Sequence, residues 1–256
     1  MSIKAAFFDI DGTLLSHKTH AVPKDTLESL ARLRSRGIKL FTSTGRHILE
    51  LDGLPVRDIE FDGYVLLNGQ LCLDEKRNIL SGEAIDRTDI ENILPIFEEK
   101  QLPLGFVELD RLYMNVVNER VRWIHQEIST KVPDIDVYRG APVYLINAFV
   151  DRKEAEGLLE QLPHCKMTWW NALGSDYISK SGGKVVGIQK MLEHHGIERE
   201  EIIAFGDGEN DIEMLKYAGI GVAMGNGEEC VKQSADYITD DIDAGGILHA
   251  LQHYGI

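Results

Sequence analysis

Asp9 and Asp11 stand two residues apart directly after the apolar run Ala5 to Phe8, and Gly12 follows them. An apolar run of that length has the pattern of a buried strand, and the bend that Gly12 permits turns both carboxylates toward one loop. Such a pair can divide labour. One carboxylate attacks as a nucleophile; the other, kept protonated by its like-charged neighbour, donates a proton to a leaving group and later takes one from water. A bare Asp-x-Asp is as often a pair of solvated acids in a turn, and it is the strand before it that tips the reading toward chemistry.

A second acidic group, Gly206-Asp207-Gly208-Glu209-Asn210-Asp211, follows another apolar run, Ile202 to Phe205. Taken alone it reads as an Asp-Gly turn feeding a helix cap. Taken with Asp9 and Asp11, it brings carboxylates from two strand ends to one place, which suits a hard divalent cation with oxygen ligands, magnesium above all. Two further motifs offer the opposite charge. Ser43-Thr44-Gly45-Arg46 follows the run Ile38 to Thr42, and Lys184 closes Ser181-Gly182-Gly183-Lys184. A hydroxyl and a backbone amide at a strand-to-helix junction can hold a phosphate oxygen. Lys184 adds a point charge for a transferring phosphoryl group. As a plain surface residue at a helix start, Lys184 would oppose the helix dipole by roughly a few tenths of a kcal/mol. Thr44 could equally be a helix N-cap.

The elements that must position these groups follow from hydrophobic patterning. Strands are expected over Ile3–Ile10, Ile38–Thr42 and Tyr64–Leu67, with an amphipathic helix over Pro23–Gly37 between the first two. The same grammar returns late in the chain: a helix over Val185–His194, a strand over Ile202–Phe205, a helix over Asp211–Ala218 and a strand over Ile220–Met224. Strand-helix-strand order implies a parallel α/β sheet, doubly wound and Rossmann-like, with right-handed crossovers. Between the two parts lies a stretch of different texture. It carries helical candidates at Thr88–Lys100, Glu119–Thr130 and Arg152–Gln161, and extended segments at Leu104–Leu109, Leu112–Val117, Val143–Val150 and Cys165–Asn171. These predict a small inserted α+β domain, a sheet with helices on one face. The expected division is 1–82 and 179–256 for the core and 83–178 for the insert.

Composition narrows the partners. The 256 residues carry 42 Asp and Glu against 27 Lys and Arg, a net charge of −15 at pH 7, which repels the phosphate backbone of a nucleic acid. The 43% hydrophobic content is that of a folded globular chain. No run reaches the length of a membrane span, and Asp9 and Asp11 interrupt the first apolar stretch before a signal-peptide core could form. Cys72, Cys165 and Cys230 are odd in number and far apart, and read as buried free thiols. The expected compartment is the cytoplasm.

In this order the motifs resemble those of the haloacid dehalogenase superfamily: Asp9-Ile10-Asp11-Gly12-Thr13 the first, Thr44 in Thr-Gly-Arg the second, Lys184 the third and 206–211 the fourth. Thr44 follows Asp11 too closely to admit a domain, whereas the stretch from Thr44 to Lys184 is long enough for one. That arrangement is similar to the Cof-type branch, as are Leu67-Asn68-Gly69 and the run Gly221 to Asn226. The resemblance implies a phosphatase in which Asp9 becomes an aspartyl-phosphate and Asp11 acts as general acid and base. It implies Mg²⁺ held by Asp9, the backbone carbonyl of Asp11 and Asp207, with Asp211 behind them. It places the Ile10 amide, the Thr44 hydroxyl, the Gly45 amide, Lys184 and Asn210 around the phosphate. His47 stands where many relatives have proline, so the entry to the next helix is open.

The expected substrate is a small phosphorylated metabolite such as a sugar phosphate, acted on by a monomer or weak homo-oligomer. Two rivals are a phosphotransferase or mutase, with water excluded by the insert, and a non-catalytic module that senses a phosphometabolite. Retention of Asp9, Asp11 and Asp207 together argues against the module. Trp169 and Trp170 read as core of the insert before ligand wall, His17 and His20 as surface residues before substrate contacts, and Arg46 as a partner of Glu50 one helical turn on before a ligand contact.

Overall fold

The chain Ala5–Phe8 is apolar at every position and buried at every position, as a central strand covered on both faces requires. The computed structural model describes residues 2–128 and 130–256. Its first elements are β1 (Ala5–Phe8), α1 (Lys24–Ser35), β2 (Lys39–Ser43), α2 (Ile48–Leu51), β3 (Gly63–Leu66), β4 (Leu71–Asp74) and β5 (Ile79–Gly82). Then come α3 (Arg87–Glu98), β6 (Leu104–Val107), β7 (Leu112–Met114), α4 (Glu119–Glu127), β8 (Leu145–Ala148), α5 (Arg152–Glu160), β9 (Cys165–Asn171) and β10 (Gly174–Ser179). The chain ends with α6 (Lys184–His195), β11 (Ile202–Gly206), α7 (Ile212–Tyr217), β12 (Ile220–Ala223), α8 (Glu229–Lys232), β13 (Tyr237–Ile238) and α9 (Gly246–His253). Two compact units divide it: Met1–Ser81 with Lys184–Ile256, and Gly82–Gly183.

The first unit is α/β, built on an eight-stranded sheet in the order β13-β12-β11-β1-β2-β3-β4-β5. Pairing is parallel from β13 through β3, and antiparallel between β3 and β4. Phe8 lies beside Phe205 on one side and Thr42 on the other, so the carboxyl ends of β1, β2 and β11 lie level. Chain order reverses between β1 and β11, the switch point where a crevice opens beyond the strand ends. Alternation sends Phe7 to the face where Ile188, Met191 and Met214 of α6 and α7 pack. Phe7 stacks on Phe41 and Phe8 on Phe205, at 4.7 and 5.0 Å between ring centroids. Each such side chain, once buried, contributes about 1.5–3 kcal/mol, enough to hold β1 rigid beneath the residues that follow it.

The second unit carries a five-stranded sheet in the order β7-β6-β8-β10-β9, with antiparallel pairs throughout. Ile90, Ile93 and Phe97 of α3 and Ala155 and Leu158 of α5 pack with Phe106, Tyr113, Ile146 and Tyr177. The expectation of helices on one face is corrected by α4. Its Val121 and Ile124 pack with Met114, Phe149 and Trp170 in a separate cluster, and Met114 points opposite to Tyr113 along β7. Trp169 and Trp170 divide the same way, one with each cluster.

Several elements went unread in the sequence: β4, β5, β10, β13 and α9. Conversely, the extended segment expected over Leu112–Val117 contracts to Leu112–Met114 and that over Val143–Val150 to Leu145–Ala148. The helix expected over Glu119–Thr130 ends at Glu127; Ser129 lies outside the described residues. Cys72 and Cys165 are buried free thiols, but Cys230 is exposed, because it sits on α8, a single turn of which Val231 is the buried residue. Among the described residues no helix is long and apolar enough to cross a membrane.

Candidate active site

Asp9 is the first residue past β1, and its amide still donates to Phe205 O at 3.0 Å, so β11 fixes its backbone. Its side chain is buried. Lys184, the first residue of α6 and only 3% exposed, donates from Nζ to Asp9 Oδ1 at 2.8 Å and to Asp211 Oδ1 at 2.5 Å. Asp211 is 0% exposed, and its other oxygen accepts from the amides of Asp207 and Gly208, each at 3.0 Å. One carboxylate thus straps the loop after β11 to the lysine at the head of α6. Lys184 is no surface residue, and the plain alternative considered from sequence falls.

Asp207 faces Asp9 across this arrangement. Its Oδ1 accepts from Thr13 Oγ1 at 3.1 Å and its Oδ2 from Asn226 Nδ2 at 3.3 Å. Asn226 Nδ2 also donates to Gly12 O at 2.8 Å, and its Oδ1 accepts from Ile242 N at 2.9 Å. Gly12 has φ +77°, and a Cβ there would lie 2.1 Å from Asp207 Oδ2. Both the left-handed backbone and the approach of Asp207 therefore require glycine.

Oxygens of Asp9, Asp207 and Asp211 lie within 4.8 Å of one another. Burial, opposed by Lys184 and reinforced by Asp211 and Asp11, pushes the Asp9 carboxyl up to about 7. Burial and then the charges of Asp9 and Asp211 push Asp207 up to about 8. Burial pulls Lys184 down, yet Asp211 and Asp9 outweigh it and hold its ammonium above the usual value. Three carboxyl groups thus crowd one ammonium and hold on to protons, and this all-oxygen donor set, once deprotonated, fits a hard divalent cation. Glu209, Glu228 and Cys230 form a second group of potential ligands, all exposed.

The turn after β2 supplies the other side. Thr44 is buried, and its Oγ1 accepts from Arg46 N at 3.2 Å. Thr44 is not the cap of α2: His47 is, its Nδ1 accepting from Leu49 N at 3.3 Å while its own amide donates to Glu50 Oε2 at 2.8 Å. A capping box thus settles the helix entry that the sequence left open. Asn68, held left-handed at φ 53°, donates its amide to Thr44 O at 2.9 Å and accepts from Asn210 Nδ2 at 3.1 Å. Gly45 lies against the Asn68 side chain, and Ile10 O accepts from Leu14 N and Leu15 N. Arg46 donates to Asp11 from Nε at 2.6 Å and Nη2 at 2.8 Å, and approaches Glu50 only to 3.6 Å. The expected i,i+4 pair with Glu50 is thus present, and Asp11 is the closer partner that the spacing did not show. His17 and His20 are exposed, as expected.

Asp9, Asp207, Asp211 and Lys184 are brought together directly, and Thr44, Gly45 and Asn210 are joined through Asn68. Thr13, Asn68 and Asn226 were not assigned roles from sequence. Their signal was position, since Thr13 belongs to the first motif and the two asparagines stand in runs noted only for resemblance.

The family model for haloacid dehalogenase-like hydrolases matches residues 6–251. The 5-amino-6-(5-phospho-D-ribitylamino)uracil phosphatase YitU of Bacillus subtilis is 29% identical over 267 residues, covering 96% of this chain and 95% of the relative. Among solved structures, a sugar phosphatase of HAD subclass IIB superposes with a TM-score of 0.88 at 35% identity, covering 98% of this chain and 99% of the other. A HAD phosphatase from Bacteroides thetaiotaomicron superposes at 0.90 with 29% identity, covering 99% and 96%.

Proposed function

The chain belongs to the haloacid dehalogenase-like hydrolases, and from that premise we propose a magnesium-dependent phosphatase that cleaves phosphomonoesters of small metabolites, sugar phosphates among them, through a phosphorylated Asp9. The observation that carries the reading is the buried Lys184 bridging Asp9 and Asp211 beside Asp207. Lys184 neutralises one of three carboxylates and holds Asp9 fixed for attack on phosphorus. The leaving oxygen takes its proton from Asp11, and water later releases phosphate from Asp9.

A divalent cation, when bound, would be held by Asp9, Asp207 and the Asp11 carbonyl, and would neutralise charge on the phosphoryl group. Asp211 stands behind it in this reading, because its two oxygens are already committed to Lys184 and to two amides. Thr44, Gly45, Asn210 and the Ile10 amide would surround the phosphate, and the stretch 83–178 would act as the cap that selects the substrate.

A panel of phosphorylated sugars and nucleotide precursors, assayed for phosphate release with magnesium and with excess chelator, tests the proposal. Asp9→Asn is expected to lower turnover by several orders of magnitude with an unchanged melting temperature. Near-normal turnover in that variant would end the assignment of Asp9 as nucleophile.

A further inference from the structure

Arg46 has a more definite partner than its sequence position suggested. Its Nε and Nη2 engage the two oxygens of Asp11 in parallel, at 2.6 and 2.8 Å. The Arg46 side chain is 13% exposed and that of Asp11 31%, so the pair is screened less than one on an open surface. Arg46 is fixed in turn. Its Nη1 leans on Glu50, which the His47 amide holds at 2.8 Å, and Leu67 N donates to its carbonyl at 3.2 Å. Asp11 stands on a loop next to Gly12, its backbone in an isolated bridge with Leu15.

We infer that Arg46 is a positioning residue for Asp11, whose fork holds the carboxylate aimed at the water that cleaves the phosphorylated Asp9. The inference rests on the reading of Asp11 as acid and base. Each carboxylate oxygen has a second lone pair, so Asp11 can accept a proton while both oxygens stay in the fork. In the step concerned an O–H bond of water breaks and its proton passes to Asp11. The water oxygen bonds to phosphorus, and the phosphorus–oxygen bond to Asp9 breaks with its electron pair returning to the Asp9 carboxylate. Inorganic phosphate leaves. An arginine meant to grip the phosphate itself would present its donors to the pocket, whereas here the nitrogens with hydrogen-bonding geometry point to carboxylate.

The test uses 4-nitrophenyl phosphate, whose leaving group departs without a proton, so formation of phosphorylated Asp9 is separated from its hydrolysis. Rapid-quench measurements with Arg46→Ala and Arg46→Lys give the two rates independently. Hydrolysis of the intermediate is expected to slow by about 10-fold or more in both, with formation changed far less, so that phosphate accumulates on Asp9. Lysine keeps the charge but loses the fork, and its failure to rescue marks a geometric role. Equal slowing of both steps, or slowing of formation alone, would overturn the inference. Asp11→Asn keeps the two failures apart. Slow hydrolysis in Asp11→Asn beside normal hydrolysis in both Arg46 variants removes Arg46 alone, and normal hydrolysis in Asp11→Asn removes the role of Asp11 on which the inference stands.

Discussion

Both units bury polar side chains, but one of them gathers three carboxylates around a lysine. In Gly82–Gly183, Glu108 is 2% exposed, and its oxygens accept from Arg111 Nε, Arg111 Nη2 and Tyr113 Oη at 2.6, 2.8 and 2.7 Å. Asn115 accepts from Leu104 N and donates to Phe97 O and Leu102 O, each at 2.9 Å. Asp89 holds the His164 amide and ring nitrogen, each at 2.9 Å. In these three networks each buried acceptor has its donors, as a stable core requires. At the strand ends of the other unit three carboxylates gather around one lysine, and two of them are pushed to about 7 and 8. Buried polarity closed upon itself reads as architecture, and buried polarity with charge left over reads as a site awaiting a ligand.

Lys184→Met breaks the contrast most sharply. Removing the one cation should lower kcat on an aryl phosphate by about 10²–10³-fold, the effect of losing one preorganised donor to a developing anion. A variant that stays folded and turns over normally would place Lys184 with the merely structural groups. Glu108→Ala should do the reverse. It leaves Arg111 and Tyr113 without their buried acceptor, although Asp136 still holds Arg111 at 2.9 Å, so the expected loss in a urea melt is about 2–3 kcal/mol. Turnover per folded molecule should stay as it was, and a fall in kcat would blur the distinction drawn here.

The smallest expected effect is on pH dependence. Asp9 and Asp207 ordinarily titrate near 3.8 and are raised by burial and mutual repulsion. The folded metal-free protein therefore binds protons that the unfolded chain has lost. Their contribution to stability falls as pH rises from about 4 through the window of 7 to 8. A magnesium ion held by these carboxylates would have to displace those protons below that window and not above it. The rise in melting temperature on adding magnesium should accordingly be larger at pH 8.5 than at pH 5.5. Equal rises at both pH values would mean that the two carboxylates do not hold the cation.

Much of the site was legible because Asp9 and Asp207 each stand directly after a buried strand. Ala5–Phe8 and Ile202–Gly206 announce themselves as strands, so hydrophobic patterning by itself places Asp9 and Asp207 at strand ends. Asn226 was not legible in this way, because its bonds to Gly12 and Asp207 depend on a loop from the far end of the chain reaching back to the first motif. The pairing of Arg46 with Glu50 was legible and its closer pairing with Asp11 was not, because sequence spacing reveals neighbours one helical turn apart and is silent on a partner across two loops. The strand Gly174–Ser179 was missed for a different reason. Its Ser175 and Asp176 look like solvent-facing residues, yet both are buried, with Asp176 accepting from Trp170 Nε1 at 2.8 Å and Asn147 Nδ2 at 2.7 Å.

The pairing of β1 with β11 has a consequence during synthesis. In a chain emerging from the ribosome β1 precedes β11, and one long edge of that strand stays bare until residues near 205 are released. Such high contact order favours slow completion and a period of dependence on chaperones. It also keeps Asp9 apart from Lys184 and Asp207 until both of those residues have been released.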